Sequence, residues 1–355
     1  MATRRSFLQS ATLAAGVAAA ASTVTPAGAA QGAGQRQGRG QAAQQGSAGT
    51  APKPASELQV PKMKFGNVEI SRLVIGVNQF VGAAHFNSIL GTIMREYYTP
   101  DKVREVMHQC NQFGINAYNY RHMDRTQSDL ERFRAEGGTM HLVVQEWGDP
   151  IAVYKAVKPL AMHYMGEFVD RAFQDDNMEI VQEWCKKVRD TGSLVGVGTH
   201  KPEVIAYVEE KGWDVDFYAG CVYNRTRTED EWRQVLGGQV QETPNETYLQ
   251  SDPPRMYKVM RQTSKPCFAF KILAAGRVNR SSRTTARPAS SSQSRFPASV
   301  PQGTVEQAFQ TAFESIKPND GIFVGMFPRV KDEVRENAEL MVSVLAKPVR
   351  QSESS

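Results

Sequence analysis

Residues 189–224, RDTGSLVGVGTHKPEVIAYVEEKGWDVDFYAGCVYN, restrict this chain to a small set of folds. The end of a helix at 186–191 is closed by Gly192, which takes the left-handed turn that a helix exit needs. Residues 194–198 form a short apolar run. Thr199, His200 and Pro202 then open a helix over 203–211, with Thr199 as its cap and Gly212 as its stop. Residues 216–223 are the next apolar run. Helix, strand, helix, strand with tight polar turns is the grammar of parallel βα units, whose fully buried strands read as continuous apolar runs. Polar residues collect where the strands end: Thr199 and His200 on one, Tyr223 and Asn224 on the next. In an α/β barrel that rim carries the chemistry.

The pattern repeats along the chain. The run 63–72, MKFGNVEISR, has a Gly66-Asn67 turn between two alternating stretches and predicts a β-hairpin that plugs the bottom of a barrel. Strands are expected at 73–77, 115–120, 141–145, 161–165, 194–198, 216–223, 267–273 and 322–326. Helices are expected at 99–113, 127–135, 149–157, 179–191, 203–211, 253–262, 305–315 and 331–345, with a long loop over 82–98. Eight strand–helix steps predict a (β/α)8 TIM barrel with an N-terminal hairpin plug. An open doubly wound sheet is the runner-up, and it lacks a GxGxxG after the first strand. Two insertions leave the expected rim: a polar one at 225–252, and a Ser/Arg-rich one at 278–303 that reads as flexible.

The N-terminus reads as targeting, not fold. Thr3-Arg4-Arg5-Ser6-Phe7-Leu8 is a twin-arginine pattern, followed by an Ala-rich stretch and a small-x-small site at 27–29. Residues 1–30 are expected to be a signal read by the twin-arginine export machinery, with a periplasmic or other extracytoplasmic address. The apolar stretch is shorter than the ~20 residues of a span, so no stable membrane span is expected. Residues 31–58 read as a disordered linker, 59–348 as the barrel and 349–355 as a tail. Loss of Arg4 and Arg5 takes the formal charge from +5 to +3, which gives no case for nucleic acid. Cys110, Cys185, Cys221 and Cys267 show no metal or disulfide spacing and read as small buried residues.

The predicted strand ends offer Asn119, Tyr120, Arg121, Glu146, His163, Glu167, His200, Tyr223, Asn224 and Lys271. His200 ends a strand and is a candidate catalytic group. His163 lies mid-strand, where a packed core histidine is the plainer reading. Lys271 interrupts the apolar run FAFKIL, and a buried lysine is costly unless paired or used, so anion binding, proton transfer or a Schiff base are open for it. Glu146 and Glu167 are candidates for acid–base work, or for simple partners of Arg121 and Arg171. Glu146, His163 and His200 are also open as metal ligands from adjacent strands, although their spacing is not diagnostic and no metal site is assigned.

Six segments in order resemble the aldo/keto reductase superfamily over roughly 62–345: GNVEISRLVIGVN, FGINAYNY, SLVGVGTH, CVYN, FKILAAGR and VREN. The resemblance implies an oxidoreductase using NADP(H) on a carbonyl or hydroxyl small molecule. It places Phe270 on the nicotinamide face, and Thr199 and His200 at the carboxamide. Lys271, Gly276, Arg277 and Arg329 or Lys331 fall near the phosphates, and Glu336 and Asn337 at the adenine. The family's Asp, Tyr, Lys and His tetrad is not kept: the positions fall on Asn119, near Met123 or Asp124, on Gln145 and near Met165. The catalytic set expected is therefore His200, Lys271, Glu146 and Asn119. Two other readings stay open: a nucleotide-independent barrel lyase, isomerase or hydrolase, and a non-catalytic barrel that binds a small molecule.

Overall fold

The computed structural model describes residues 52–238, 246–278 and 303–346. The expected signal, most of the linker, the bulk of the 278–303 insertion and the tail lie outside the described residues. The described chain begins with a short 3-10 turn at Ala55–Glu57, after which Leu58 is already buried.

A hairpin opens the fold: β1 (Lys62–Phe65) pairs antiparallel with β2 (Val68–Ser71) around Gly66, whose φ of 61° makes the tight turn. The barrel strands follow as β3 (Leu73–Gly76), β4 (Ala117–Tyr120), β5 (His141–Glu146), β6 (Ala161–Tyr164), β7 (Leu194–Thr199), β8 (Phe217–Cys221), β9 (Cys267–Phe270) and β10 (Gly321–Val324). They close in the order β10-β3-β4-β5-β6-β7-β8-β9, each pair parallel. This is the expected (β/α)8 barrel, and its closure excludes the open sheet. The helices are α1 (Ser88–Tyr97), α2 (Pro100–Gln112), α3 (Asp124–Ala135), α4 (Pro150–Val157), α5 (Gly166–Gln174) and α6 (Glu179–Asp190). They continue as α7 (Pro202–Glu210), α8 (Glu229–Leu236), α9 (Asp252–Gln262), α10 (Val305–Ser315) and α11 (Glu333–Ala346). None of the described helices is long and apolar enough to cross a membrane.

Two apolar layers hold the barrel. Outside the strands, Val, Ile, Leu and Met pack against the helices. Inside the lower half, Met63, Phe65 and Ile70 of the hairpin meet Val74, Phe217, Phe268 and Phe323. Phe65 sits edge-on between Phe217 and Phe268, with ring centroids 5.2 Å from each. Edge-to-face rings at this spacing add to the gain from burial alone. The hairpin is thus the floor of the barrel, as expected.

Three helices stand where none was expected. The loop predicted over 82–98 contains α1, capped by Asn87, whose side chain accepts from the Leu90 N–H at 2.8 Å. Among its residues only Gly91 is fully buried, while Leu90, Ile93, Met94 and Tyr97 form a half-buried stripe, with Met94 and Tyr97 against the core. Its α5 counterpart follows β6 directly. The 225–252 insertion holds α8, opened by a reciprocal capping box between Thr228 and Glu231. Thr199 does not cap α7, because Lys201 occupies that position without a side-chain bond.

Candidate active site

The reason Thr199 does not cap α7 leads to the first cluster. Gly166 begins α5, and a Cβ there would meet the Thr199 backbone at 2.9 Å. Glycine therefore lets α5 lie directly on the end of β7. One turn on, Asp170 points its fully buried carboxylate at that strand end. It accepts from Thr199 Oγ1, from the His200 N–H at 3.0 Å, from Thr226 Oγ1 at 2.9 Å and from His200 Nδ1 at 2.7 Å. A proton held on Nδ1 by a carboxylate fixes the imidazole tautomer and leaves Nε2 as the working nitrogen. Among the described residues Nε2 makes no hydrogen bond. The His200 ring meets Phe270 edge-on at 5.7 Å.

Phe270 ends β9, and Lys271 follows it at the same rim. Lys271 is in the left-handed region, with φ 61°, and so are Ala274, Ala275 and Gly276 just beyond. Left-handed backbone costs a non-glycine residue about 1 kcal/mol or more, and such conformers gather at functional sites. The lysine is partly buried, and its Nζ has no hydrogen-bond or ion-pair partner among the described residues. Burial, then the charge of Arg225, push its pKa down to about 8, against the smaller opposing pulls of Cys221 and Glu246. An amine in this range is still mostly protonated at pH 7, but it holds a far larger neutral, nucleophilic fraction than an ordinary lysine does.

A third group lies near Lys271. His85, from the loop after β3, places Nδ1 2.8 Å from Glu246 Oε1. Arg225 faces the same carboxylate with Nε 3.0 Å from Oε2 and with its terminal nitrogen on Oε1. Tyr248 donates its hydroxyl to Oε2 at 2.8 Å. Burial raises the Glu246 carboxyl, but the bond from His85, with the charges of His85 and Arg225 and the Tyr248 bond, outweighs it and brings the pKa to about 2. Arg277 stacks on Tyr248 with its guanidinium 4.3 Å from the ring centre, and it donates to the carbonyls of His85 and Ala274.

The other expected residues separate. Asn119 is inside the barrel, where its amide donates to the Val143 carbonyl at 3.2 Å and lies 3.1 Å from His163 Nε2. Burial holds the His163 pKa down at about 4. Glu146 points away: its Oε1 accepts from the N–H groups of Trp147 and Gly148 at 2.8 and 2.7 Å, so its carboxylate shapes its own loop. Of the expected cofactor residues, Thr199, His200, Phe270, Lys271 and Arg277 share the β7–β9 side of the rim. Gly276 is exposed in its turn. Arg329 is exposed, Glu336 pairs with Lys331, and Asn337 is buried in α11. Among the described residues no three His, Cys, Asp or Glu side chains are arranged to hold a metal, and Glu146, His163 and His200 stand apart. A cavity of about 170 Å³ lies at the opposite end of the barrel, between α6 and Trp213–Val215, away from these groups.

Sequence reasoning did not find Asp170, His85, Arg225, Glu246 or Tyr248. Asp170 sits on α5, a helix read as part of a strand-to-helix connection. The others lie in loops whose folding joins positions as far apart as 85 and 246. The Thr228–Glu231 spacing was a usable signal, because it marks a helix inside the insertion.

No family model matches the chain, and no curated protein does. Solved structures similar to it include a truncated 3-deoxy-D-arabino-heptulosonate 7-phosphate synthase from Thermotoga maritima, at 13% identity and TM-score 0.44, covering 81% of this chain and 92% of that one. Another is an N-acetylneuraminic acid synthetase from Leptospira borgpetersenii serovar Hardjo-bovis, at 7% identity and TM-score 0.41, covering 83% and 93%. A third is a xylose isomerase-like TIM barrel protein from Mycobacterium smegmatis, at 12% identity and TM-score 0.38, covering 77% and 96%. Likeness at this level says nothing about chemistry. None of the three is an aldo/keto reductase, and the resemblance to that family is corrected here. Its motifs are strand ends and turns, which any parallel (β/α)8 barrel repeats, while the tetrad that would distinguish the family is absent at Asn119 and Gln145. With the family goes the basis for NADP(H).

Proposed function

We propose that the chain is a nucleotide-independent barrel enzyme, a lyase or isomerase that activates a carbonyl compound through Lys271. The observation that carries this reading is Lys271 itself: a rim amine without a partner among the described residues, in a left-handed backbone, with its pKa drawn down to about 8 beside Arg225. The neutral amine attacks the carbonyl carbon. The carbonyl oxygen takes one proton from the amine and a second from solvent and leaves as water, and the nitrogen becomes an iminium that draws electrons from the neighbouring carbon. That carbon then loses a proton, or a carbon–carbon bond, to give an enamine. His200 Nε2 accepts the proton, and Asp170 holds the Nδ1 proton in place and stabilises the imidazolium. Return of the proton and of water regenerates the lysine.

The test is hydrogen exchange on a simple ketone. Pyruvate in deuterated buffer is followed by proton NMR with the wild type, Lys271→Arg and His200→Gln. The reading expects loss of the methyl signal well above the buffer rate, abolished in K271R and strongly slowed in H200Q. Equal exchange by wild type and K271R removes Lys271 from the chemistry and ends the proposal.

A further inference from the structure

The polar groups near Lys271 raise a question of charge. Arg225 pairs with a carboxylate close to Lys271, Arg277 stands beside it on Tyr248, and that carboxylate belongs to the chain itself. Glu246 receives His85 Nδ1 at 2.8 Å, Arg225 through two nitrogens, and Tyr248 Oη at 2.8 Å. The two Arg225 contacts run to different oxygens, the fork geometry that fits a carboxylate. Asn78 Nδ2 lies 3.4 Å from His85 Nε2, which keeps the other ring nitrogen free to donate to Glu246. Glu246 reaches this place from a left-handed backbone, with φ 53°, a conformation unfavourable for a glutamate. It is anchored on the β8 side by Arg225 and on the β3 side by His85, so its side chain bridges the mouth of the barrel.

We infer that Glu246 occupies the subsite for a carboxylate of the substrate, and that His85, Arg225 and Tyr248 hold that carboxylate when Glu246 withdraws. This deepens the reading of Lys271 as the reacting amine, and it rests on that reading for the substrate's carbonyl. The substrate class is then a keto acid or a related carbonyl acid, its carboxylate on Arg225 and its carbonyl at Lys271. Glu246 serves as an internal stand-in: it keeps the basic groups paired in the resting chain and competes with weak or wrongly shaped anions. Without it, three cations would face one another in a partly buried site, a costly arrangement. Arg277 contributes by stacking on Tyr248 and holding the His85 loop, which makes it a positioning residue.

The probe is propionate, which has the carboxylate and lacks the carbonyl, so its binding does not depend on amine chemistry. Its affinity is measured by ligand-observed NMR and by thermal shift for the wild type, Glu246→Ala, Glu246→Gln and Glu246→Ala combined with Arg225→Gln. The inference expects E246A to bind propionate about tenfold more tightly than wild type, E246Q to gain less, and R225Q to cancel the gain. Propionate should also restore thermal stability lost in E246A. Equal or weaker binding by both Glu246 variants makes the glutamate a structural strut and overturns the inference; E246Q preserves this outcome if E246A does not fold. Acetone and pyruvate trapping at Lys271 with cyanoborohydride separates the two proposals. Trapping of both ketones at equal rates, with no propionate gain, removes the subsite and leaves the amine chemistry. Propionate binding as expected with no trapping of either ketone leaves the subsite and removes the amine chemistry.

Discussion

The two ends of the barrel are built by opposite rules. At the floor, Phe65, Phe217, Phe268 and Phe323 fill the interior, and a Gly66 turn seals it. At the rim, ionisable groups crowd together and four residues between 271 and 276 adopt left-handed backbone. The floor is where local preference and packing agree. The rim is where they conflict, and such conflicts are sustained by the rest of the fold. The contrast assigns stability to one end and chemistry to the other, and substitutions at each end should therefore have opposite signatures.

The largest effect on folding is expected at the floor. Phe65→Ala should cost about 3–5 kcal/mol in chemical denaturation, because it leaves a cavity between two rings. The Lys271 reactivity of the fraction that remains folded should be unchanged. A loss of reactivity greater than the loss of folded protein would break the division between the two ends.

On the chemical side, Asp170→Asn should reduce pyruvate hydrogen exchange by about a hundredfold or more, since His200 loses its anchoring carboxylate. Asp170 acts through His200, so the pH profile of the exchange should shift along with the rate. A purely structural Asp170 would lower the yield of folded protein and leave the profile of the remainder in place.

Lys271→Met should make the protein more stable at pH 7, by roughly 2 kcal/mol, while abolishing exchange. The sign follows from the titration. The folded lysine has a pKa near 8, against an ordinary value of 10.5. Between those values the unfolded chain holds a proton that the folded chain has released, so wild-type stability rises with pH across that window. Below about pH 8 the folded state bears the full cost of a charged, desolvated ammonium. Stability curves of wild type and K271M should therefore converge as the pH rises from 8 to 10.5, and parallel curves would contradict the low pKa.

Smaller effects lie away from both ends. Thr99→Ala removes the bond to the Lys102 N–H at the start of α2 and should cost about 1 kcal/mol with no change in chemistry. Arg233→Ala breaks exposed pairs with Glu229 and Asp230 on α8 and should shift stability by less than about 0.5 kcal/mol in either direction.

The same contrast explains what the sequence disclosed. The plug was legible because Gly66-Asn67 between alternating runs admits few structures. The strands were legible because buried parallel strands are apolar throughout, as in 194–198. The helix α2 was legible from Thr99 and Pro100. The rim was legible one residue at a time: His200 stood at a strand end, and Lys271 interrupted FAFKIL. Their partners were not legible. Asp170 looks like any acidic residue on an amphipathic helix, and only the contact between Gly166 and Thr199 brings it to His200. Glu246 meets His85 across 161 positions of chain. Glu146 illustrates the converse, since its place after a strand suggested a catalytic carboxylate while its oxygen binds the next two backbone N–H groups. Position along a strand was readable, but the direction of a side chain depended on packing. The family resemblance failed for the same reason, because it rested on strand ends that all such barrels share.

The pH dependence of lysine labelling decides whether Lys271 is the reacting amine. Wild-type protein is incubated with pyruvate and cyanoborohydride from pH 6 to 10, digested, and mapped by mass spectrometry. One dominant adduct is expected, on Lys271, with a labelling rate that rises to a midpoint near pH 8. Labelling spread over the surface lysines, with Lys271 no faster than the rest and a midpoint near the ordinary lysine value of about 10.4, would contradict that role.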